Sequence, residues 1–201
     1  MKKILLLDIC GTITEKNTTI DFIKSLGHDL PPYKKIFGRV LWRVFKIDYL
    51  RREYIKKLFG YENEYLKIKS QEYINNLYYD EVVIKYVYYL KNNGFDIYLI
   101  SASLDIITSS ISNKFGFNCL ISSELDFNEN LCSGKLKSDA LDKKESMISD
   151  DIFESRNITC IISDNFGDYQ LMKMCTYPFA ISRNNNAERY WKDKNIYIIK
   201  R

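Results

Sequence analysis

Ile4-Leu5-Leu6-Leu7-Asp8-Ile9-Cys10-Gly11-Thr12-Ile13-Thr14 is the stretch that decides how this 201-residue chain reads. Four consecutive apolar residues predict a strand buried on both faces. The strand ends on an acid. Gly11 and the threonines around it then turn the chain and leave backbone N–H groups outside any ladder. A carboxylate at the carboxyl end of a central parallel strand sits where open α/β sheets do their chemistry. The alternative is a strand-to-turn aspartate that only caps local N–H groups.

Downstream, the pattern changes twice. Thr18 or Thr19 can cap a short helix through Leu26, and Pro31-Pro32 stops that helix and starts another. From Tyr33 to Lys46, Ile36, Phe37, Val40, Leu41, Val44 and Phe45 recur at helical spacing, with Lys35, Arg39, Arg43 and Lys46 on the other side. Helical sequence continues to about Leu77, interrupted at Gly60. After Asp80 strands and helices alternate. The predicted strands are 95–100, stopping at Ser101, then 119–121, 159–163 ending at Asp164, 177–181 and 196–199. The predicted helices are 82–92, 104–115, 140–150, 166–174 and 187–192, and residues 124–138 read as a hairpin or loop. That alternation is the signature of a parallel sheet with right-handed crossovers. The strandless block cannot belong to that winding. The expected organisation is therefore an α/β core from residues 1–15 and 80–201, with a helical cap, 16–79, inserted after the first strand.

Composition excludes several classes. Hydrophobic residues make 46% of the chain and charged residues 28%, as in a globular protein with a substantial core. No apolar run is long enough to span a membrane. The basic, apolar start could open a signal peptide, but Asp8 interrupts it after four residues and no small-residue cleavage site follows. Five cysteines without paired spacing fit reduced thiols, hence a cytoplasmic protein. A single histidine and no CxxC pair argue against zinc. Residues 33–57 hold nine basic and two acidic side chains, so that segment carries +7 in a chain of net +4. Three readings of the basic helix stand. It packs its apolar stripe within the cap and exposes its charges, which is the expected arrangement. Its cations face an anionic substrate. Or it lies on anionic lipid through Phe37, Trp42 and Phe45. No nucleic-acid-binding module is present.

Three strands end in Asp8, Ser101 and Asp164, residues able to handle phosphate, and a lysine, Lys144 or Lys143, opens a helix. Separately, each has a plain alternative: a turn serine, a surface lysine, a helix N-cap. Together, Leu7–Thr14, Ile100-Ser101-Ala102-Ser103, Asp142–Ile148 and Ser163–Met172 resemble the haloacid dehalogenase superfamily. The similarity is greatest to its phosphoserine-phosphatase-like branch, subfamily IB, and covers nearly the whole chain. The resemblance implies a doubly wound Rossmann-like core of strand order 3-2-1-4-5 under a small helical cap. It also implies a Mg²⁺-dependent phosphatase acting on a small phosphorylated metabolite.

Under that resemblance Asp8 is the nucleophile, giving an aspartyl-phosphate that water cleaves. Mg²⁺ is held by Asp8, Asp164 and the backbone carbonyl of Cys10, with Asp168 orienting the metal or its waters. Ser101 and the backbone N–H groups of Ile9 and Ala102 hold phosphoryl oxygens, and Lys144 balances charge. Lys144 is preferred over Lys143 because Ile148 falls one turn later as the buried partner. One position departs from the pattern. The family usually carries a second aspartate two residues after the nucleophile, which protonates the leaving alcohol and then deprotonates water. Here that residue is Cys10. The expectations are slow phosphomonoester hydrolysis, a substrate with a good leaving group, or transfer or binding of phosphate without hydrolysis.

Overall fold

The computed structural model describes residues 1–45 and 47–200. Lys46, read above as part of the basic helix face, lies outside the described residues. The first strand, β1 (Lys3–Leu7), is followed by four helices: α1 (Thr18–Ser25), α2 (Pro32–Phe45), α3 (Tyr49–Ile55) and α4 (Asn63–Asn75). Then come α5 (Glu81–Asn92), β2 (Asp96–Leu104), α6 (Asp105–Phe115) and the pair β3 (Asn118–Asn128) and β4 (Leu131–Ser138). The rest is α7 (Lys144–Met147), β5 (Ile158–Ser163), α8 (Tyr169–Met174), β6 (Tyr177–Ser182), α9 (Asn185–Asp193) and β7 (Tyr197–Lys200).

The seven strands form one sheet in the order β4-β3-β2-β1-β5-β6-β7. Every pairing is parallel except the β3–β4 hairpin. With β4 set aside, the parallel strands run 3-2-1-4-5 in chain order, as expected, and β7 adds a sixth at the far edge. β1 is central, paired with β2 from Ile4 to Leu7 and with β5 from Lys3 to Leu7.

The period of two along β1 explains the double winding. Leu5 and Leu7 join Leu99 and Ile162 in a cluster with Val83 and Val87 of α5 and Ile107 and Ile111 of α6. Ile4 and Leu6 point the other way, to Ile161, Leu171 and Met172 of α8 and Trp191 of α9. Both clusters are buried, so the continuous apolar run is what a strand with two covered faces requires.

The helices α1 to α4 are tied to the core rather than hung from it. Asp80 N–H donates to Ile13 C=O at 2.9 Å, so the two ends of the inserted stretch meet beside β1. Phe22 and Ile23 of α1, Tyr54 and Ile55 of α3, and Leu66 and Ile74 of α4 belong to the same cluster as Leu5 and Leu7. α2 does not. Its apolar stripe was expected to pack inside the cap, and the structure overturns this. Ile36, Phe37, Val40, Val44 and Phe45 are all exposed and Gly38 is the helix's one buried residue. The reason is the contact α2 makes: a Cβ on Gly38 would stand 2.4 Å from Leu50 Cγ, so α2 meets the rest along a narrow backbone edge.

Local expectations shift in three places. β2 does not stop at Ser101 but runs to Leu104, where it pairs with Ser123 after two register irregularities. The segment 124–138 is a true hairpin, β3 with β4. The helix expected over 140–150 shrinks to the single turn α7, because Asp142 takes a positive φ of 56° and Ile148 is extended.

Candidate active site

Asp8 follows β1 directly, at the carboxyl edge of the sheet, and is almost fully buried. Its neighbour Ile9 is wholly buried, and the Ile9 carbonyl faces the N–H groups of Thr12, Ile13 and Thr14 at 3.1–3.3 Å, which curls the chain into a tight turn. Gly11 sits in that turn at φ +82°, and a Cβ there would stand 2.2 Å from Asp164 Oδ2. Only glycine lets the turn carry this backbone and come so close to the Asp164 carboxylate.

Lys144 Nζ donates to Asp8 Oδ1 and to Asp168 Oδ2, each at 2.8 Å. Lys143 is exposed, so the geometry selects Lys144. Ser163 Oγ donates to the same Asp168 oxygen at 2.6 Å. Asp168 is thus engaged by the lysine and the serine at the end of β5. Burial works against the charge on Lys144, but Asp8 and Asp168 outweigh it and hold the ammonium well above its ordinary range. Burial pushes the Asp8 carboxyl up to about 7 against the pull of Lys144, and the charges of Asp168 and Asp164 push the same way.

The donor set fits a small hard cation. Thr12 Oγ1 lies 3.3 Å from Asp8 Oδ2 and 3.4 Å from Asp164 Oδ1, and it accepts the Asp164 N–H at 3.0 Å. Two carboxylate oxygens therefore converge on one hydroxyl. Asp8, Asp164 and Asp168 gather here against Lys144, which contacts Asp8 and Asp168, and Arg183, which reaches Asp164, so one acid is in excess, a negative charge that a divalent cation would offset. Among the described residues no three His, Cys, Asp or Glu side chains gather as a metal-holding group. The side chains placed to hold a cation are Asp8 and Asp164. Cys10 would contribute through its backbone alone, because its sulfur is engaged elsewhere.

That sulfur lies 3.3 Å from Thr18 Oγ1 and 3.2 Å from Ser103 Oγ, and it accepts the Thr18 N–H at 3.4 Å. Thr18 and Ser103 meet at 2.7 Å, and Ser103 reaches Ser101 Oγ at 2.9 Å. A chain of hydroxyls thus joins position 10 to Ser101. Burial and then the Asp8 charge raise the Cys10 thiol above its ordinary range, only partly offset by Ser103 and Thr18. The thiol is neutral at physiological pH.

A cavity of about 670 Å³ opens over these groups. Asp8, Cys10, Ser101, Ala102, Lys144 and Asp164 line it from the core. Gly38, Arg39 and Trp42 of α2, with Leu50 and Arg51 of α3, line it from the inserted helices. Several contributors escaped the sequence reading. Thr12 and Ser103 lay inside quoted motifs, and Ser103 shares Ser101's side of the strand by the period of two. Arg51 is buried and donates to Ala102 C=O at 2.7 Å, to Ser123 Oγ at 2.8 Å and to Asp139 at 2.8 Å. Arg183, just past β6, reaches Asp164 Oδ2 at 3.5 Å. No local pattern marks either arginine.

Sequence and structure comparisons bear on the family and the fold. The family model for haloacid dehalogenase-like hydrolases matches residues 5–173. Among curated proteins no sequence match was found. A protein with unknown function from Bordetella pertussis Tohama I superposes with a TM-score of 0.77 at 14% identity, over 99% of this chain and 98% of that one. A phospho-aspartyl intermediate analogue of phosphoserine phosphatase gives 0.70 at 19% identity, over 98% and 92%. Cytosolic 5'-nucleotidase IIIB bound to cytidine gives 0.64 at 14% identity, over 99% and 80%. At these identities the superpositions show a shared fold.

Proposed function

Because the chain belongs to the haloacid dehalogenase-like hydrolases, we propose that it is a phosphatase acting on a small phosphorylated metabolite, with Asp8 as nucleophile. The observation that carries this reading is the buried Asp8–Lys144–Asp168 clamp at the floor of a cavity large enough for a metabolite. An Asp8 carboxylate oxygen bonds to phosphorus, the bond from phosphorus to the leaving oxygen breaks, and that oxygen departs with the electron pair. Water then attacks the phosphorus of the aspartyl-phosphate, which frees the Asp8 carboxylate and inorganic phosphate. Lys144 fixes the carboxylate and offsets negative charge, and Ser101 Oγ donates to a phosphoryl oxygen. Mg²⁺, held by Asp8, Asp164 and the Cys10 carbonyl, would supply charge neutralisation at the transferring phosphoryl group. The helices of 16–79 serve as the lid, since α2 and α3 line the cavity opposite Asp8.

Position 10 favours a second reading. A thiol held neutral and tied to Thr18 and Ser103 is a weak proton donor to a departing alkoxide. Leaving groups that depart without a proton, such as those of acyl phosphates or anhydrides, would escape that defect, as would transfer of the phosphoryl group to another acceptor. Phosphate release by purified protein with Mg²⁺, measured over a panel of phosphomonoesters and acyl phosphates, tests both. Wild type should release phosphate and Asp8→Asn should not. Equal release by the two would end the catalytic assignment.

A further inference from the structure

The exposed face of α2 matches none of the roles given to the cavity. Tyr33, Ile36, Phe37, Val40 and Val44 fall three and four residues apart, on one side of the helix. Their exposures are 69%, 62%, 54%, 51% and 62%. Gly38 and Trp42 lie on the opposite side, toward the cavity. A continuous apolar stripe left in water on a small globular chain marks a surface that something covers.

The charges around the stripe say what covers it. α2 carries Lys34, Lys35, Arg39 and Arg43 and no acidic residue. Lys34 pairs with Glu53 and Lys35 with Asp29. Arg39, which also lines the cavity, and Arg43, one turn on along the stripe's flank, enter no ion pair among the described residues. A second copy is a poor occupant. A two-fold interface would set this cationic helix against itself. The surface is also a single helix about 20 Å long. Apolar side chains on one face with cations along its edge are the pattern of a helix lying in a lipid interface.

We propose that α2 seats the protein on an anionic bilayer surface, with Ile36, Phe37, Val40 and Val44 dipping among the lipids and Arg39 and Arg43 at the headgroups. The inner side of the same helix lines the cavity, so docking brings that cavity beside the membrane. The proposal is independent of the reaction assigned to Asp8.

Co-sedimentation of the full chain with phosphatidylcholine vesicles, with and without phosphatidylglycerol, tests it. At ~0.1 M salt the protein should pellet with the anionic vesicles and stay in solution with the neutral ones, and higher salt should release it. Ile36→Ser/Val40→Ser/Val44→Ser should lower partitioning at least about tenfold while the far-ultraviolet circular dichroism stays unchanged. Should that variant misfold, Arg39→Gln/Arg43→Gln, which keeps the stripe, should still weaken binding to anionic vesicles. Failure of the wild type to pellet with phosphatidylglycerol, or equal pelleting with both vesicles, overturns the proposal. So does a wild-type dimer in sedimentation velocity that the serine variant dissolves and that ignores vesicles.

Discussion

Restoring a carboxylate at position 10 tests the site most directly. In Cys10→Asp the new side chain would project among the groups now around the sulfur: Thr18 N–H at 3.4 Å, Thr18 Oγ1 at 3.3 Å and Ser103 Oγ at 3.2 Å. Up to three donors would meet a carboxylate there, so its burial is not left unsatisfied. The nearby Asp8 charge, which already raises the thiol, would raise the new acid too. A carboxyl kept protonated part of the time suits a general acid. Positioned acid–base help is worth about 10²–10⁴ in rate, or about 3–5 kcal/mol of barrier. The gain should depend on the leaving group. With an alkyl phosphate, whose alkoxide must be protonated, Cys10→Asp should raise kcat by about 10² or more. With an aryl phosphate, whose phenolate leaves unaided, the gain should stay within about tenfold. Steady-state phosphate release on the two substrates measures this, with Cys10→Asp/Asp8→Asn as the blank. The same gain on both substrates would show that position 10 acts on something other than the leaving group. No gain on either would refute the reasoning from the missing acid.

Two further outcomes follow from the clamp. Lys144→Met leaves Asp8 and Asp168 buried without their shared cation, which should cost about 3–5 kcal/mol in urea unfolding at pH 8. The cost should shrink at pH 5 as the Asp8 carboxyl takes up its proton, and a change below about 1 kcal/mol at pH 8 would contradict the clamp. Asp8 carries a stability cost of its own. The folded chain keeps its proton up to about 7, whereas the unfolded chain gives it up near 3.8. Its contribution is therefore most favourable at low pH and is lost as pH rises through that window. Without divalent cation, Asp8→Asn should raise the urea midpoint at pH 8 and leave it nearly unchanged at pH 4. A midpoint lower than wild type at pH 8 would refute this.

The parts of this molecule that could be read from the chain are those in which neighbouring residues share one environment. Ile4 to Leu7 announce a strand covered on both faces because all four side chains are buried, two on each side. Asp8, Ser101 and Asp164 stand out because each follows such a run, and parallel strands deliver their carboxyl ends to one edge. Lys144 was legible only as a choice of two, since a single turn has no periodicity to fix its face. Arg51 was invisible, because the groups its side chain hydrogen-bonds, on Ala102, Ser123 and Asp139, lie 51 to 88 residues away. The same limit explains α2. Spacing shows that Ile36, Val40 and Val44 share a face, but not whether another element is available to cover it. α1, α3 and α4 each place side chains in the cluster around Leu5 and Leu7, and they leave α2 no share of it. With Gly38 the one residue α2 buries, three spare methyl-rich positions beside Arg39 and Arg43 have no task inside the fold. Their use has to be sought outside it.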